Sequence, residues 1–258
     1  MWPYPRIIAH RGGGKLAPEN TIAGLRAGLA HGFHAVEFDV MLSQDGIGVI
    51  MHDPDFGRTV AGRGSVASTT AAALQAMDAG SWFGPQFAGE RVPLFTEFFE
   101  FCRANRIWMN IEIKPAPGHD AATGDWVARK TAELAGRPYP STLGSDPEVD
   151  TGSAVPLLSS FSFEALAAAR DAAPQIPRAY LLDKIPDDWE GQARELGAVA
   201  IHTNQKHLTP VMAKAIKDAG FGLFCYTVND PEHARTLLSW GVDAFCTDRI
   251  DLIGPAFA

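Results

Sequence analysis

Two histidines, three carboxylates and two cations recur beside short apolar runs in this chain of 258 residues. His10 and Arg11 follow Ile7-Ile8-Ala9, and His52 follows the run GVIM. Glu37 and Asp39 alternate with apolar residues in VEFDV, as Glu112 and Lys114 do in WMNIEIK. Side chains two apart on a strand share a face, so Glu37 points with Asp39 and Glu112 with Lys114. Carboxylates gathered at one point repel each other unless a cation neutralises them. Oxygen donors without cysteine suit a hard divalent ion, magnesium or calcium, with manganese also accommodated. Histidine titrates near neutrality, so two of them at separate strand ends suit general acid and base work. Arg11 and Lys114 add positive charge. A metal, two cations and two histidines fit phosphoryl chemistry, in which phosphate charge is neutralised while one proton is taken and another given.

Each piece alone has a plainer reading. A histidine at a strand end is more often structural, Glu-x-Asp is often a solvated face, and Glu-x-Lys is often an ion pair. What makes them a site is that all fall at the same end of successive strands.

The elements that must hold them are legible in the pattern. Extended runs cover 6–10, 36–40, 48–52, 108–114, 156–161, 178–182, 198–202, 223–228 and 243–248. Helical patterns lie between most of them, at 21–31, 95–105, 125–135, 163–173, 187–196, 210–219 and 231–240. Strands alternating with helices imply a parallel sheet, and eight such units close a barrel. The ninth run is assigned to a hairpin at SQDG (43–46), because Asp-Gly between extended runs is a strong turn signal. With Asp45 and Gly46 as the loop, Val40 faces Met51 and Asp39 faces His52; a bulge would shift this register by one. The expected fold is an α/β TIM-type (β/α)8 barrel, one domain over 1–258, with a β-hairpin and small insertion (about 41–93) after the second strand.

Residues 53–93 are rich in Gly, Ala, Ser and Thr, with a short helix expected near 70–77. Following the second strand, they belong over the active-site mouth. Residues 136–153 link a helix to a strand, which puts them on the opposite, non-catalytic face as a mobile loop. Catalytic side chains of a barrel project from the C-terminal strand ends. Beyond the residues above, those ends carry Asp53, Ser160, Phe161 and Tyr226. The other histidines read as surface or packing residues, with His202, at a strand end, the nearest exception. Trp82-Phe83 would line the mouth or an interface, and packing is the plainer reading.

The segment AHRGGGKLAPENT (9–21) invites a nucleotide-loop reading, which its spacing rejects. A Walker loop needs Ser or Thr after Gly-Lys, and Leu16 follows Gly14-Lys15. The glycines instead let the backbone turn sharply and keep the mouth open. Pro18 and Thr21 suit a helix start.

Composition narrows the function classes. The apolar fraction is 46% and the net charge −8. An acidic chain is a poor non-specific nucleic-acid binder, though a small anionic substrate answers only to its local site. Three cysteines, an odd count without a C-x-x-C pair, argue against a disulfide framework or structural zinc. No signal peptide or membrane-spanning apolar run is evident, so a soluble cytoplasmic protein is expected. A homo-oligomer is left open.

The chain resembles the glycerophosphodiester phosphodiesterase family. The motifs that carry the resemblance are HRG and PENT (10–12, 18–21), EFDV (37–40), SQDG and HD (43–46, 52–53), NIEIK (110–114), SSF (159–161), YTVND (226–230) and GVDAFCTD (241–248). They span nearly the whole chain, in the family's order. The segment WPYPRIIAHRGGGKLAPENT and the ending DLIGP are especially similar to the cytosolic bacterial enzyme type associated with glycerol-3-phosphate uptake. The resemblance implies a TIM-type barrel and metal-dependent hydrolysis of glycerophosphodiesters, such as glycerophosphocholine or glycerophosphoethanolamine, to glycerol-3-phosphate and an alcohol. It implies Glu37, Asp39 and Glu112 as metal ligands, His10 and His52 as the acid/base pair, and Arg11 and Lys114 as phosphate contacts. Tyr226 stands where many members have Trp, so an aromatic packs there but with a different size. The loop at 136–153 is longer than usual for the family. The nucleophile, water or a neighbouring glycerol hydroxyl through a cyclic phosphate, stays open, as does which histidine is acid and which base. Three other readings compete: a lysophospholipid-directed barrel enzyme, a two-carboxylate glycosidase barrel needing no metal, and a non-catalytic metabolite-binding barrel.

Overall fold

The computed structural model describes residues 2–137 and 155–258. Its strands are β1 (Ile7–His10), β2 (Ala35–Leu42), β3 (Gly48–Ile50), β4 (Trp108–Ile113), β5 (Leu157–Ser160), β6 (Arg178–Leu182), β7 (Ala200–Asn204), β8 (Gly222–Tyr226) and β9 (Ala244–Thr247). The helices are α1 (Ile22–Ala30), α2 (Ala71–Gln75), α3 (Phe95–Ala104), α4 (Asp120–Ala135), α5 (Phe163–Ala172), α6 (Trp189–Glu195), α7 (Pro210–Asp218) and α8 (Pro231–Ser239). Each of the nine extended runs forms a strand. The loop expected at 136–153 lies outside the described residues beyond Arg137.

Strands β1, β9, β8, β7, β6, β5, β4 and β2 are neighbours in that order, and β1 pairs with β2 to close the ring. This is the TIM barrel. All eight of its strands run parallel, and β3 alone is antiparallel, on β2. A parallel sheet under helices is buried on both faces, which is why all eight residues of β2 are inaccessible even though they include Glu37 and Asp39. Four of the helices that follow barrel strands, α1, α5, α7 and α8, start on side-chain caps. Thr21, Ser162, Thr209 and Asp230 each accept the backbone N–H three residues on, stopping the preceding loop and aiming the helix back along the barrel.

Inside the barrel, the lower layer is apolar: Ile8, Ala35, Trp108, Leu157, Ala200 and Phe224 pack together. Trp2 stacks on Phe224 at 6.2 Å and Tyr4 lies 4.9 Å from Trp108, so the aromatic segment ahead of β1 plugs the lower end. The charged site residues stand above this layer, while His202 reaches down to stack on Phe224 at 4.3 Å.

The hairpin differs from expectation by one residue. Val40 pairs with Ile50 and Leu42 with Gly48, not Val40 with Met51. The loop has three residues, Gln44-Asp45-Gly46, with Gly46 at φ 73° and Ser43 N–H bonded to the Ile47 carbonyl. That is the three-residue turn with a left-handed glycine and a bulge. Asp45 leaves the two-residue geometry because its carboxylate is engaged on both sides, by the Ser43 hydroxyl and by the Ala71 amide at the start of α2. His52 is therefore not a ladder partner of Asp39. It stands beyond the end of β3, in a bend.

Residues 53–93 fold over the upper rim with a small core of their own, in which Met41, Val49 and Met51 meet Val60, Val66 and Leu74. The helix expected at 70–77 is α2, capped by Thr70. Among the described residues no helix is long and apolar enough to cross a membrane, and the three cysteines are buried free thiols.

Candidate active site

The strand register assembles the carboxylates. His10 is level with Glu37, Glu37 with Asn110, and Asp39 with Glu112. Glu37, Asp39 and Glu112 each offer an oxygen within 4.8 Å of the others. Two cations stand among them: Lys114 Nζ is 3.3 Å from Glu112 Oε1 and 3.4 Å from Asp39 Oδ1, and Arg11 Nε is 3.5 Å from Asp39 Oδ2.

The electrostatics follow from burial and charge count. Three buried carboxylates face two cations, so one negative charge is left over. Burial, then Asp39 and Glu112, push the Glu37 carboxyl well above the usual range. Burial and Asp39 push Glu112 up to about 7. Burial would raise Asp39 too, but Arg11 and Lys114 hold it below the usual range. Glu37 Oε1 is buried without a hydrogen-bond partner among the described residues. A cluster with surplus negative charge, oxygen donors only and a buried unpartnered carboxylate oxygen fits a hard divalent cation.

The histidines are oriented alike. His10 Nδ1 is 2.6 Å from Asp248 Oδ1, and His52 Nδ1 is 2.6 Å from Asp53 Oδ1. A carboxylate only accepts, so Nδ1 donates in both rings and Nε2 is the nitrogen left for proton exchange; that of His10 lies 3.6 Å from Glu37 Oε2. Both rings line one cavity of about 160 Å³, together with Arg11, Glu37, Glu112 and Lys114. Burial, with Arg11 and Lys114, lowers the His52 pKa against the pull of Asp39 and Asp53, which keeps the ring neutral at neutral pH. Tyr226 and Phe161 close the cavity on the far side, edge to face at 5.7 Å, and the Tyr226 hydroxyl donates to the Leu182 carbonyl. The eight residues singled out from the sequence thus meet around one space, apart from Asp39, which sits just behind it against Arg11, Lys114 and Asn20.

Several supporting residues were not anticipated. Glu19 accepts from Arg11 at 2.8 Å and from Arg58 at 2.6 and 2.8 Å, while Arg58 also holds Asp53. This chain ties the rim segment to the barrel and orients His52. Asn20, at φ 58°, donates to Asp39 at 2.8 Å. So PENT does more than start α1: its Glu and Asn hold two site groups. Asp248 is fixed by Asn229, which donates to its Oδ2 at 2.8 Å and accepts from its backbone amide. Asp248 and Asn110 were findable, since both lie on or just past barrel strands in phase with inward residues; Glu19 and Arg58 were not, because loops carry no such periodicity. Ser160 turns to the Ile113 carbonyl and is structural. The glycines do not hold the mouth open: a Cβ on Gly14 would stand 2.2 Å from the Asp248 carbonyl oxygen, and Gly12 and Gly13 pack against α1.

Fold and site together make this a (β/α)8 barrel enzyme equipped for phosphoryl chemistry. The Glycerophosphoryl diester phosphodiesterase family model matches residues 10–252, and the chain belongs to that family. A glycerophosphodiester phosphodiesterase of Caldanaerobacter subterraneus is 30% identical over 94% of this chain and 93% of its own. An Oleispira antarctica phosphodiesterase, solved in complex with the product sn-glycerol-3-phosphate, superposes with a TM-score of 0.83 at 35% identity, covering 95% of this chain and 93% of that one. A glycerophosphodiester phosphodiesterase of Agrobacterium tumefaciens superposes with a TM-score of 0.76 at 28% identity, covering 96% and 98%. By family and fold the protein is a phosphoric diester hydrolase.

Proposed function

We propose that the protein hydrolyses glycerophosphodiesters, with glycerophosphocholine and glycerophosphoethanolamine as representative substrates, to sn-glycerol-3-phosphate and an alcohol. One observation carries the reading: Glu37, Asp39 and Glu112 converge within 4.8 Å beside two imidazoles, each held by a carboxylate at Nδ1, which leaves its Nε2 for proton transfer. The product held by the Oleispira antarctica relative supports the substrate class.

Glu37, Asp39 and Glu112 would hold the divalent ion. When bound, that ion supplies Lewis-acid polarisation of the phosphoryl oxygens. Arg11 and Lys114 contact the remaining phosphoryl charge, which rises toward the transition state. One histidine takes the proton of the nucleophile, water or the neighbouring glycerol hydroxyl, at Nε2; the other, protonated, returns one to the departing alkoxide. Where the glycerol hydroxyl attacks, water then opens the cyclic phosphate with the proton roles reversed. Asp248 and Asp53 keep each ring in the required tautomer and stabilise its cationic form. Tyr226 and Phe161 pack on the organic part and exclude water. The whole chain acts as one barrel domain, and three reduced, buried thiols support a cytoplasmic location.

The test is release of glycerol-3-phosphate from glycerophosphocholine, first in chelator and then with magnesium, calcium or manganese restored. The expected result is release only with a divalent ion. Full activity in chelator would reject the metal-dependent reading, and binding without turnover under every ion would favour a metabolite-binding barrel.

A further inference from the structure

His202 points from β7 into the barrel and is 1% exposed. Its ring stacks on Phe224 at 4.3 Å, yet neither Nδ1 nor Nε2 has a hydrogen-bond partner among the described residues. It lines the same cavity as His10, His52 and Lys114. Asn110, from β4, lines it too, and its Oδ1 is likewise buried without a partner. Stacking uses the face of the imidazole, and a phenyl ring would stack as well without stranding two polar atoms. Buried polar groups left unpaired are costly, so two of them on one cavity call for a partner that enters it, and a substrate group can be that partner.

The chemistry of that ligand can be read from the donors. Burial holds His202 neutral, its pKa lowered to about 3. A neutral imidazole offers one N–H donor and one acceptor nitrogen. A phosphate or carboxylate oxygen would satisfy only the donor. A quaternary ammonium has no N–H and no lone pair, so it would satisfy neither nitrogen, whatever it gained from the Phe224 and Tyr226 rings. A hydroxyl both gives and takes, and Asn110 Oδ1 accepts one more hydrogen bond. The cavity is small, about 160 Å³ against the several hundred typical of ligand pockets, and the Trp2 plug seals the barrel beneath it. A compact polyol suits that depth, and wider cavities adjoin it at His10, Arg11 and Tyr226 for the rest of a diester.

We propose that His202, with Asn110, is the specificity-determining residue for the glycerol moiety, exchanging hydrogen bonds with a glycerol hydroxyl. This rests on the glycerophosphodiester reading above.

The experiment measures kcat/KM of the metal-loaded enzyme and of His202→Phe on three substrates. They are glycerophosphocholine, its deoxy analogue propane-1,2-diol phosphocholine, and bis(p-nitrophenyl) phosphate, which has no glycerol. Removing one partner of a buried hydrogen bond should cost roughly 10- to 100-fold. The native enzyme is expected to prefer glycerophosphocholine to its deoxy analogue by that factor, and His202→Phe to lose the preference. The variant's ratio of glycerophosphocholine to bis(p-nitrophenyl) phosphate turnover should fall by the same factor. An equal loss on all three substrates, or a preserved preference, overturns the proposal. His202→Gln, which keeps polar atoms in place, should restore part of the preference and serves if the phenylalanine variant folds poorly. Native cleavage of bis(p-nitrophenyl) phosphate without cleavage of glycerophosphocholine would instead overturn the substrate reading itself.

Discussion

His10 and Asp248 are 238 positions apart in the chain, yet Nδ1 of the first lies 2.6 Å from Oδ1 of the second. Closure of the barrel brings β1 beside β9, and the turn after β1 then docks on Asp248 through the Lys15 amide, which donates to its carbonyl at 2.8 Å. Asp248 is thereby held at both ends, by the glycine turn through its backbone and by Asn229 through its side chain. His10 and Asn229 outweigh burial and lower the Asp248 pKa to about 2, so it stays anionic wherever the enzyme works.

Asp248→Asn is expected to lower kcat by about 10²-fold with KM little changed, because an amide tolerates the wrong imidazole tautomer. Steady-state kinetics and the pH profile check this. Unchanged kcat would mean that Asp248 does not orient His10.

Divalent-ion affinity should weaken as pH falls below about 7. The Glu112 pKa is raised to about 7 by burial and by Asp39, so below that pH its carboxyl holds a proton that an incoming cation must expel. The expected slope approaches tenfold in Kd per pH unit, with proton release on binding. Calorimetric titration of calcium or manganese at pH 6, 7 and 8 measures both. A Kd independent of pH would show that Glu112 is not displaced from its proton by the ion.

Gly14→Ala should destabilise the fold by about 2 kcal/mol or more, because the site combines a left-handed backbone with a clash that no rotamer relieves. Here φ is +53° and the obstacle is the Asp248 backbone. Thermal unfolding reads the loss, and activity should fall further than stability alone explains, since His10 loses its alignment. A melting temperature equal to that of the native chain would contradict the close approach.

Stability should fall with acidification between about pH 6.5 and 3 through His202. Its folded pKa is depressed to about 3 by burial, so the unfolded chain binds a proton that the folded chain refuses. The contribution is complete above the unfolded value and is lost as pH drops through this window, at up to about 1.4 kcal/mol per unit. Urea unfolding across that range, compared with His202→Phe, isolates it. Parallel pH curves for the two proteins would mean that His202 ionises freely in the native state.

The barrel was readable because periodicity is local. Apolar runs of strand length, helical spacing between them and caps such as Thr21 and Asp230 are all properties of neighbouring residues. The strand-end rule then singled out His10, Glu37, Asp39, His52 and Glu112. Asp248, just past the end of β9, obeys the same rule, whereas Asn110 is inward-facing but in the middle of β4. The hairpin register slipped by one because the choice between a two- and a three-residue Asp-Gly turn was made at a distance, by the Ala71 amide that engages Asp45. Glu19 and Arg58 were illegible for the same reason: they meet across 39 positions, in loops with no repeating pattern.

The sequence by itself determined which chemistry is available and on which strand ends it stands, because alternation on a strand decides the facing of each side chain. Tertiary structure alone decided which groups share a proton, a charge or a cavity. Closing the ring put Asp248 on His10, the rim segment put Arg58 between Glu19 and Asp53, and the lower plug left His202 buried beside Trp2 and lining the cavity. Those relationships depend on distances of a few ångströms between residues remote in the chain, and only packing sets such distances.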